Sequence, residues 1–297
     1  MSRRRRGSGS LTHPAGYGLL LVSPALLFVL VFVLFPLAFA IYISLTNWPL
    51  IGDYHFVGWD NYANIPKDAT FLSSVRYTFA YTAIVTLPIL VLGYALAVLV
   101  RGNRRGSTLI RTAVFLPYVI GLTTLSFVAL LELQPNSGAV NAVLAGLGLT
   151  DGSTAWLVDT TLATVAVSVL VVWGVAGFTM VLLLGGMQGI PPDVYESADI
   201  DGAGWWSKEL RITLPLLRRT IALSLIISII GSFLAFNQFF ILTQGGPGVS
   251  TTTVVLWIYR RAFVELQLGA ATSLSLVLVV VVALVTALQF WLLRERD

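Results

Sequence analysis

The chain has 297 residues, of which 57% are apolar and only 11% charged, with 18 Lys and Arg against 14 Asp and Glu. Soluble domains carry about 25% charged residues, and so few charges cannot cover a water-facing surface of this size, which excludes a soluble enzyme. The absence of cysteine excludes a disulfide framework, cysteine-based zinc sites and a thiol nucleophile.

A helix needs about 20 apolar residues to cross the hydrocarbon core. Six stretches meet that length: Leu19–Leu45, Thr78–Val100, Ala113–Leu133, Leu162–Gly186, Ile221–Leu242 and Leu268–Leu293. Backbone groups in lipid must bond within their own segment, so the spacing predicts an all-α integral membrane protein with six transmembrane helices. A basic tail over residues 1–16 precedes a membrane domain over 17–297. The first span has a basic start and an Ala38-Phe39-Ala40 triplet like a cleavage site. Its apolar part nevertheless outruns the 7–15 residues of a signal peptide, so it reads as a retained span. Pro24, Pro36, Pro88 and Pro117 fall within or at the ends of spans, where neighbouring helices can satisfy the freed carbonyls.

With the N-terminus inside, 14 of the 18 Lys and Arg fall on inner segments and only Lys67, Arg76, Arg260 and Arg261 on outer ones. That bias places both termini in the cytoplasm. It also accounts for the Arg3–Arg6 run without any nucleic acid.

The middle of every span is free of Asp, Glu, Lys, Arg and His; Glu132 comes closest, at the outer end of the third. This argues against a proton-driven pump or symporter. Only Lys67 and Lys208 could serve a P-loop, and neither has the required glycines and hydroxyl around it. His13 and His55 form no ligand spacing and read as solvated or structural, so no metal site is expected. A membrane chain without its own energy source is a channel, a passive carrier, or one subunit of a driven machine.

The longest inner loop, 187–220, opens Gly189-Ile190-Pro191-Pro192-Asp193, a helix-initiation pattern. Val194, Tyr195, Ala198 and Ile200 then give one apolar face, and Gly202 permits a turn closed to other residues. A second amphipathic stretch carries Trp205, Trp206, Leu210 and Ile212 before Pro215. These residues fit either a loop resting on the membrane face or a helix–turn–helix that docks into a partner.

The run Glu196-Ser197-Ala198-Asp199-Ile200-Asp201-Gly202-Ala203, followed by Ile212-Thr213-Leu214-Pro215, resembles the EAA signature (Glu-Ala-Ala, three residues, Gly, nine residues, Ile-x-Leu-Pro) of permease subunits of binding-protein-dependent ABC importers. Ser197 replaces the signature's Ala, and Glu209 stands where a bulky aromatic is usual. Further motifs are similar to the carbohydrate branch, of maltose and glycerol-3-phosphate type, and to the first permease of its pair. They are Phe56-Val57-Gly58 with Asn61-Tyr62, Arg111 with Phe115-Leu116-Pro117, and Gly138-Ala139-Val140-Asn141 with Trp156-Leu157. Thr243-Gln244-Gly245-Gly246-Pro247 with Ser250-Thr251, Tyr259 and Ala262-Phe263 completes the set.

The resemblance implies a type I importer permease fold in the bacterial cytoplasmic membrane. It implies a second permease subunit, two ATPase subunits that hold ATP and magnesium, an extracytoplasmic solute-binding protein or lipoprotein, and a sugar cargo. No cofactor would sit on this chain, which would be no enzyme. Glu196, Ser197, Ala198, Asp199, Asp201, Gly202, Ala203 and Pro215 would couple it to the ATPases. Gly245, Gly246 and Pro247 would face the binding protein or the gate, or simply make a tight turn.

Sugars offer hydroxyls and weakly apolar faces. Phe236, Asn237, Gln238, Phe240 and Thr243 therefore mark a candidate substrate pathway at the end of span five, their polar groups bonding either to a neighbouring helix or to solute. A glycerol-3-phosphate or glycerophosphodiester permease would need a cation for phosphate. A stand-alone channel would work without ATP.

Overall fold

The computed structural model describes residues 15–102 and 106–293. Residues 1–14 of the basic tail, with Arg3 to Arg6 and His13, lie outside the described residues, as do Arg104, Arg105, Arg294 and Arg296. Among the described residues the chain is helical, with two isolated bridges, Thr46 to Phe56 and Pro49 to Gln267.

Among the described residues five helical spans are long and apolar enough to cross a membrane: α1 (Leu20–Ser44), α3 (Ala69–Val100), α7 (Thr160–Gln188), the segment Arg218–Leu242, and α13 (Leu268–Leu293), of which Leu268–Leu292 qualifies. A short helix, α2 (Asp60–Asn64), precedes α3, and another, α6 (Ala139–Gly146), precedes α7, both on the side that the charge bias predicts to be outer. The expected third span differs from the sequence reading. It begins earlier and is broken into α4 (Ser107–Ile120) and α5 (Leu122–Glu132), which meet at 92°. Pro117 cannot donate a backbone bond, and Gly121 at φ +87° adopts a conformation that only glycine reaches easily. Pieces of 14 and 11 residues are about 21 and 16 Å long, so neither alone spans the core. Arg218–Leu242 is interrupted more gently between α10 (Arg218–Phe233) and α11 (Asn237–Leu242), where Phe236 leaves helical geometry.

The connections fall on two sides, as six crossings require. On one side the 45–68 segment meets 243–267, since Leu50 donates its N–H to the Leu266 carbonyl, and Thr160 and Ser250 share a hydrogen bond of 2.8 Å. On the other, Arg111 at the start of α4 donates to the Val100 carbonyl that ends α3, a cation placed at a helix C-terminus.

Apolar attraction between helices vanishes in lipid, so close approach of small residues does much of the packing. A Cβ on Gly177 of α7 would stand 2.1 Å from the Val114 carbonyl oxygen of α4, and one on Gly93 of α3 would stand 2.6 Å from a Thr179 methyl. Around these contacts Tyr81, Val85 and Ile89 pack with Val167, Val171 and Phe239. Nearer the inner side, Ala97 and Val100 pack with Met180, Leu183 and Leu217. The first span is different: only 6% of its most apolar window is covered by the rest of the chain. Its anchoring comes from its outer end, where Asn61 donates to the Ser44 and Thr46 carbonyls at 2.8 and 2.7 Å and Tyr62 bonds the Ser44 hydroxyl.

The outer ends of α3 and α12 (Val254–Phe263) are clamped at Asp68. One carboxylate oxygen caps α3 by accepting from the Phe71 amide. The other accepts from the Trp257 indole at 2.9 Å and the Arg261 guanidinium at 2.8 Å. Burial works to raise the Asp68 pKa, but the hydrogen bonds from Arg261, Phe71 and Trp257 outweigh it and hold it below the usual carboxylate value. The clamp therefore stabilises the fold above the unfolded value of about 3.9 and fades as pH falls through the lowered one. Asp68→Asn is expected to cost about 1–2 kcal/mol at neutral pH and to remove this acid sensitivity, checked by thermal unfolding in detergent between pH 7 and pH 3.

Candidate functional site

Two places carry functional geometry: the inner loop after α7 and a cavity between the spans. In the loop, Pro191-Pro192 start helix α8 (Pro192–Ile200), with Asp193 in its first turn. Gly202, at φ +73°, ends it. The Ala203 amide donates to the Ala198 carbonyl at 2.9 Å and Gly202 to Asp199 at 3.1 Å, so the chain reverses through a glycine C-cap. Nothing lies within 4 Å of where a Gly202 Cβ would stand, so the requirement for glycine here is conformational rather than steric.

Val194, Tyr195 and Ala198 turn toward the body of the protein, as the spacing predicts. Ile200 does not: it is 88% exposed, because it sits in the last turn, past the face that Ala198 presents. Glu196, Ser197, Asp199, Asp201 and Gly202 are exposed, Ala203 is half-buried, and Pro215 is exposed in the short turn Leu214–Leu216. Lys208 Nζ bonds Asp199 Oδ1 at 2.6 Å and ties α8 to α9 (Trp205–Lys208). Exposed pairs of this kind contribute little, about 0–1 kcal/mol. The two indoles of α9, Trp205 and Trp206, meet edge to face at 4.5 Å and are both exposed.

The second amphipathic stretch reverses the expected pattern. Leu210 is exposed, while Glu209 and Thr213 are buried. Glu209 Oε2 accepts from the Tyr94 hydroxyl of α3 at 2.7 Å, and Oε1 lies 2.9 Å from the Arg101 guanidinium. That guanidinium stacks 5.3 Å from the Tyr195 ring centre, and the Tyr195 hydroxyl bonds Thr213 at 3.0 Å. Sequence reasoning noted Glu209 only as a departure from the signature, where a bulky aromatic is usual, and assigned it no role.

The cavity, of about 220 Å³, lies between α3, α4, α5, α7, α10 and α11. Tyr81, Tyr118 and Gln238 line it with Ser224, Ser228 and Ser232. Gln238 donates to the buried Tyr81 hydroxyl at 3.3 Å. The Ser228 hydroxyl is buried without a hydrogen-bond partner, and Tyr118 stacks on Phe178 at 4.6 Å. The lining contains neither Lys, Arg nor His.

Of the expected pathway residues, only Gln238 faces this cavity. Asn237 is exposed on another side of α11. Phe236 and Phe240 stack at 5.1 Å and both pack on Tyr259, each at 5.3 Å, forming an aromatic cluster away from the cavity. The Thr243 hydroxyl is spent within its turn, donating to the Phe239 carbonyl and accepting from the Gly245 amide, with Thr251 Oγ1 2.8 Å away. Sequence reasoning missed the three serines, although their recurrence at every fourth residue of α10 puts them on one face and was open to view.

The Gly245-Gly246-Pro247 turn is a tight knot. Thr251 donates to the Gly246 carbonyl at 2.6 Å and Thr252 to the Gly245 carbonyl at 3.2 Å, while Arg260 donates to Gln244. Thr253 reaches back to the Ala235 carbonyl at 2.8 Å, which fastens this outer turn to the break in span five.

Such an arrangement, a multi-span helical body with a rigid inner loop and a polar cavity between spans, defines a membrane translocation subunit. Residues 78–296 match the family described as binding-protein-dependent transport system inner membrane component, and the chain belongs to that family. It is 36% identical over 280 residues to the diacetylchitobiose uptake system permease protein NgcF of Streptomyces coelicolor, covering 90% of this chain and 79% of that protein. It is 32% identical over 283 residues to the multiple sugar-binding transport system permease protein MsmF of Streptococcus mutans, covering 93% and 94%. A chain in the solved structure of a bacterial alginate ABC transporter bound to an alginate pentasaccharide-loaded periplasmic protein has the same fold, with a TM-score of 0.82 over 94% of each chain at 22% identity. The family is the one that the Glu196–Pro215 signature resembles.

A Cβ at φ +73° costs about 1–2 kcal/mol, more for a β-branched residue. Gly202→Val is therefore expected to loosen the α8 cap, read as faster amide hydrogen exchange at residues 201–203 with the spans unchanged. Gly202→Asn should retain most of the protection.

Proposed function

We propose that this chain is a permease subunit of an ATP-driven, binding-protein-dependent sugar importer. In this reading both termini are cytoplasmic, and the chain forms the passage together with a second permease subunit. Two ATPase subunits hold ATP and magnesium, and an extracytoplasmic solute-binding protein delivers the cargo. The observation that carries the reading is the signature loop. Its helix is capped and buttressed from behind, while Glu196, Asp199, Asp201 and Ile200 face outward, uncovered by this chain. A rigid wedge with an open outer face is what a motor on another chain can push.

The sugar assignment draws on the cavity and on the relatives' names. Tyrosine faces, serine hydroxyls and an amide suit a neutral polyhydroxyl solute, whereas a phosphate would call for a cation that the lining lacks. A cavity of about 220 Å³ is smaller than common ligand pockets of roughly 300–1,000 Å³. We read it as one half of a site, widened in the assembly and alternately opened as the spans rock.

Uptake of labelled maltose and N,N′-diacetylchitobiose by proteoliposomes containing the chain, its neighbouring permease, ATPase and binding protein tests this. ATP-dependent accumulation that requires every component is expected. Solute equilibration by this chain alone, without ATP, would make it a channel instead. In the complete system Gly202→Val should insert normally yet lose uptake and solute-stimulated ATP hydrolysis. Gln238→Leu, which removes a hydrogen-bonding group from the cavity, should lower uptake about tenfold, the equivalent of about 1.4 kcal/mol.

A further inference from the structure

Glu209 is a carboxylate where the fold did not need one. Its side chain is 3% exposed, in the segment that leads from the inner loop back to the membrane. Burying a carboxylate costs several kcal/mol even when it is paired, and an apolar side chain of similar size commonly stabilises as well or better. What a paired, buried charge adds is direction, because its partners stand at fixed places. Here Oε2 accepts from the Tyr94 hydroxyl and Oε1 forms an ion pair with the Arg101 guanidinium at 2.9 Å, both at the inner end of α3. Arg101 in turn lies over the Tyr195 ring of α8, and Tyr195 bonds Thr213 just beyond Glu209. Three segments, the end of α3, the signature helix and the returning helical limb of the loop, thus meet on one charged cluster.

We infer that the Glu209–Arg101–Tyr94 cluster fastens the inner loop to α3 so that the two move as one body, and that Glu209 is a positioning residue for coupling. The inference rests on the importer reading above and says which helix receives the push. Helix α3 runs unbroken for 32 residues, about 48 Å. It carries Tyr81 at the cavity and ends at the Asp68 clamp on the outer side. A loop gripped at Arg101 therefore moves the cavity wall and the outer clamp through one helix. A loop packed only through apolar side chains could slide along the helix end instead.

The test uses the complete reconstituted importer, with the binding protein saturated by a mixture of maltose and N,N′-diacetylchitobiose. The readouts are the ratio of stimulated to basal ATP hydrolysis and the retention of ATPase subunits on purification. Glu209→Gln, which keeps an acceptor for Tyr94 but loses the charge, should lower the ratio at least fivefold with the ATPases retained, and Glu209→Asp should recover part of it. The double variant Arg101→Cys/Glu209→Cys should bring the ratio close to one. Because the chain has no native cysteine, a short bifunctional methanethiosulfonate can bridge that pair, in partners made cysteine-free, and should restore the ratio to within threefold of wild type. A mere contribution to stability would not be regained by such a bridge.

Wild-type coupling in Glu209→Gln, or a bridged pair as uncoupled as the unbridged one, would overturn the inference. So would loss of the ATPases from Glu209→Gln, which would make the carboxylate an assembly element. Failure of the wild-type system to couple at all would instead overturn the importer reading.

Discussion

A peptide group in hydrocarbon has no water to bond, so each departure from helix in this chain needs a partner from elsewhere. The structure can be read as the set of places where that debt is met. Between α10 and α11 the Ala235 carbonyl is freed and Thr253 donates to it. At the end of α3 the Val100 carbonyl accepts from Arg111. The outer turn at Gly245-Gly246 is held by the hydroxyls of Thr251 and Thr252. In the second outer loop Asn141 donates to Gln134 and Thr154 and accepts from the Trp156 indole. These ties reach between 5 and 18 residues along the chain, so each break is held to the element beside it.

That economy explains what motif residues do in this fold. Asn61, Arg111, Asn141 and Trp156 all belong to the motifs whose resemblance the sequence carries, and all serve as staples for exposed carbonyls or loop ends. The inner loop combines both kinds of demand. Its outward face is left uncovered, while its inward face is held by a charged cluster. Rigidity behind and openness in front are the mechanical conditions for passing a displacement from one chain to another.

The number and order of spans were legible from hydropathy, because the thickness of the bilayer imposes a length that few other folds require. The glycine turn at Gly202 was legible because only one residue type takes that backbone shape freely. The right-angled break at Gly121 was not, since hydropathy averages over a bend without registering it. Pro117 four residues earlier was seen and set aside as tolerable. The burial of Glu209 was hidden for another reason: its partners, Tyr94 and Arg101, lie more than a hundred residues away. In the cavity, Gln238 was singled out as a polar group, but its neighbours come from five other segments. Phe236 and Phe240 look like sugar platforms in a one-dimensional reading; the turn of α11 sends them to Tyr259 instead.

The almost bare flank of α1 has a consequence of its own. In water, an apolar helix with so little of its surface covered would drive collapse or clumping. In a bilayer the acyl chains wet that surface as well as leucine does, so nothing pulls the helix inward. A newly made copy can therefore wait in the membrane with this arm extended, and whatever docks along it must win by fit and by bonds at the membrane surface rather than by escape from solvent.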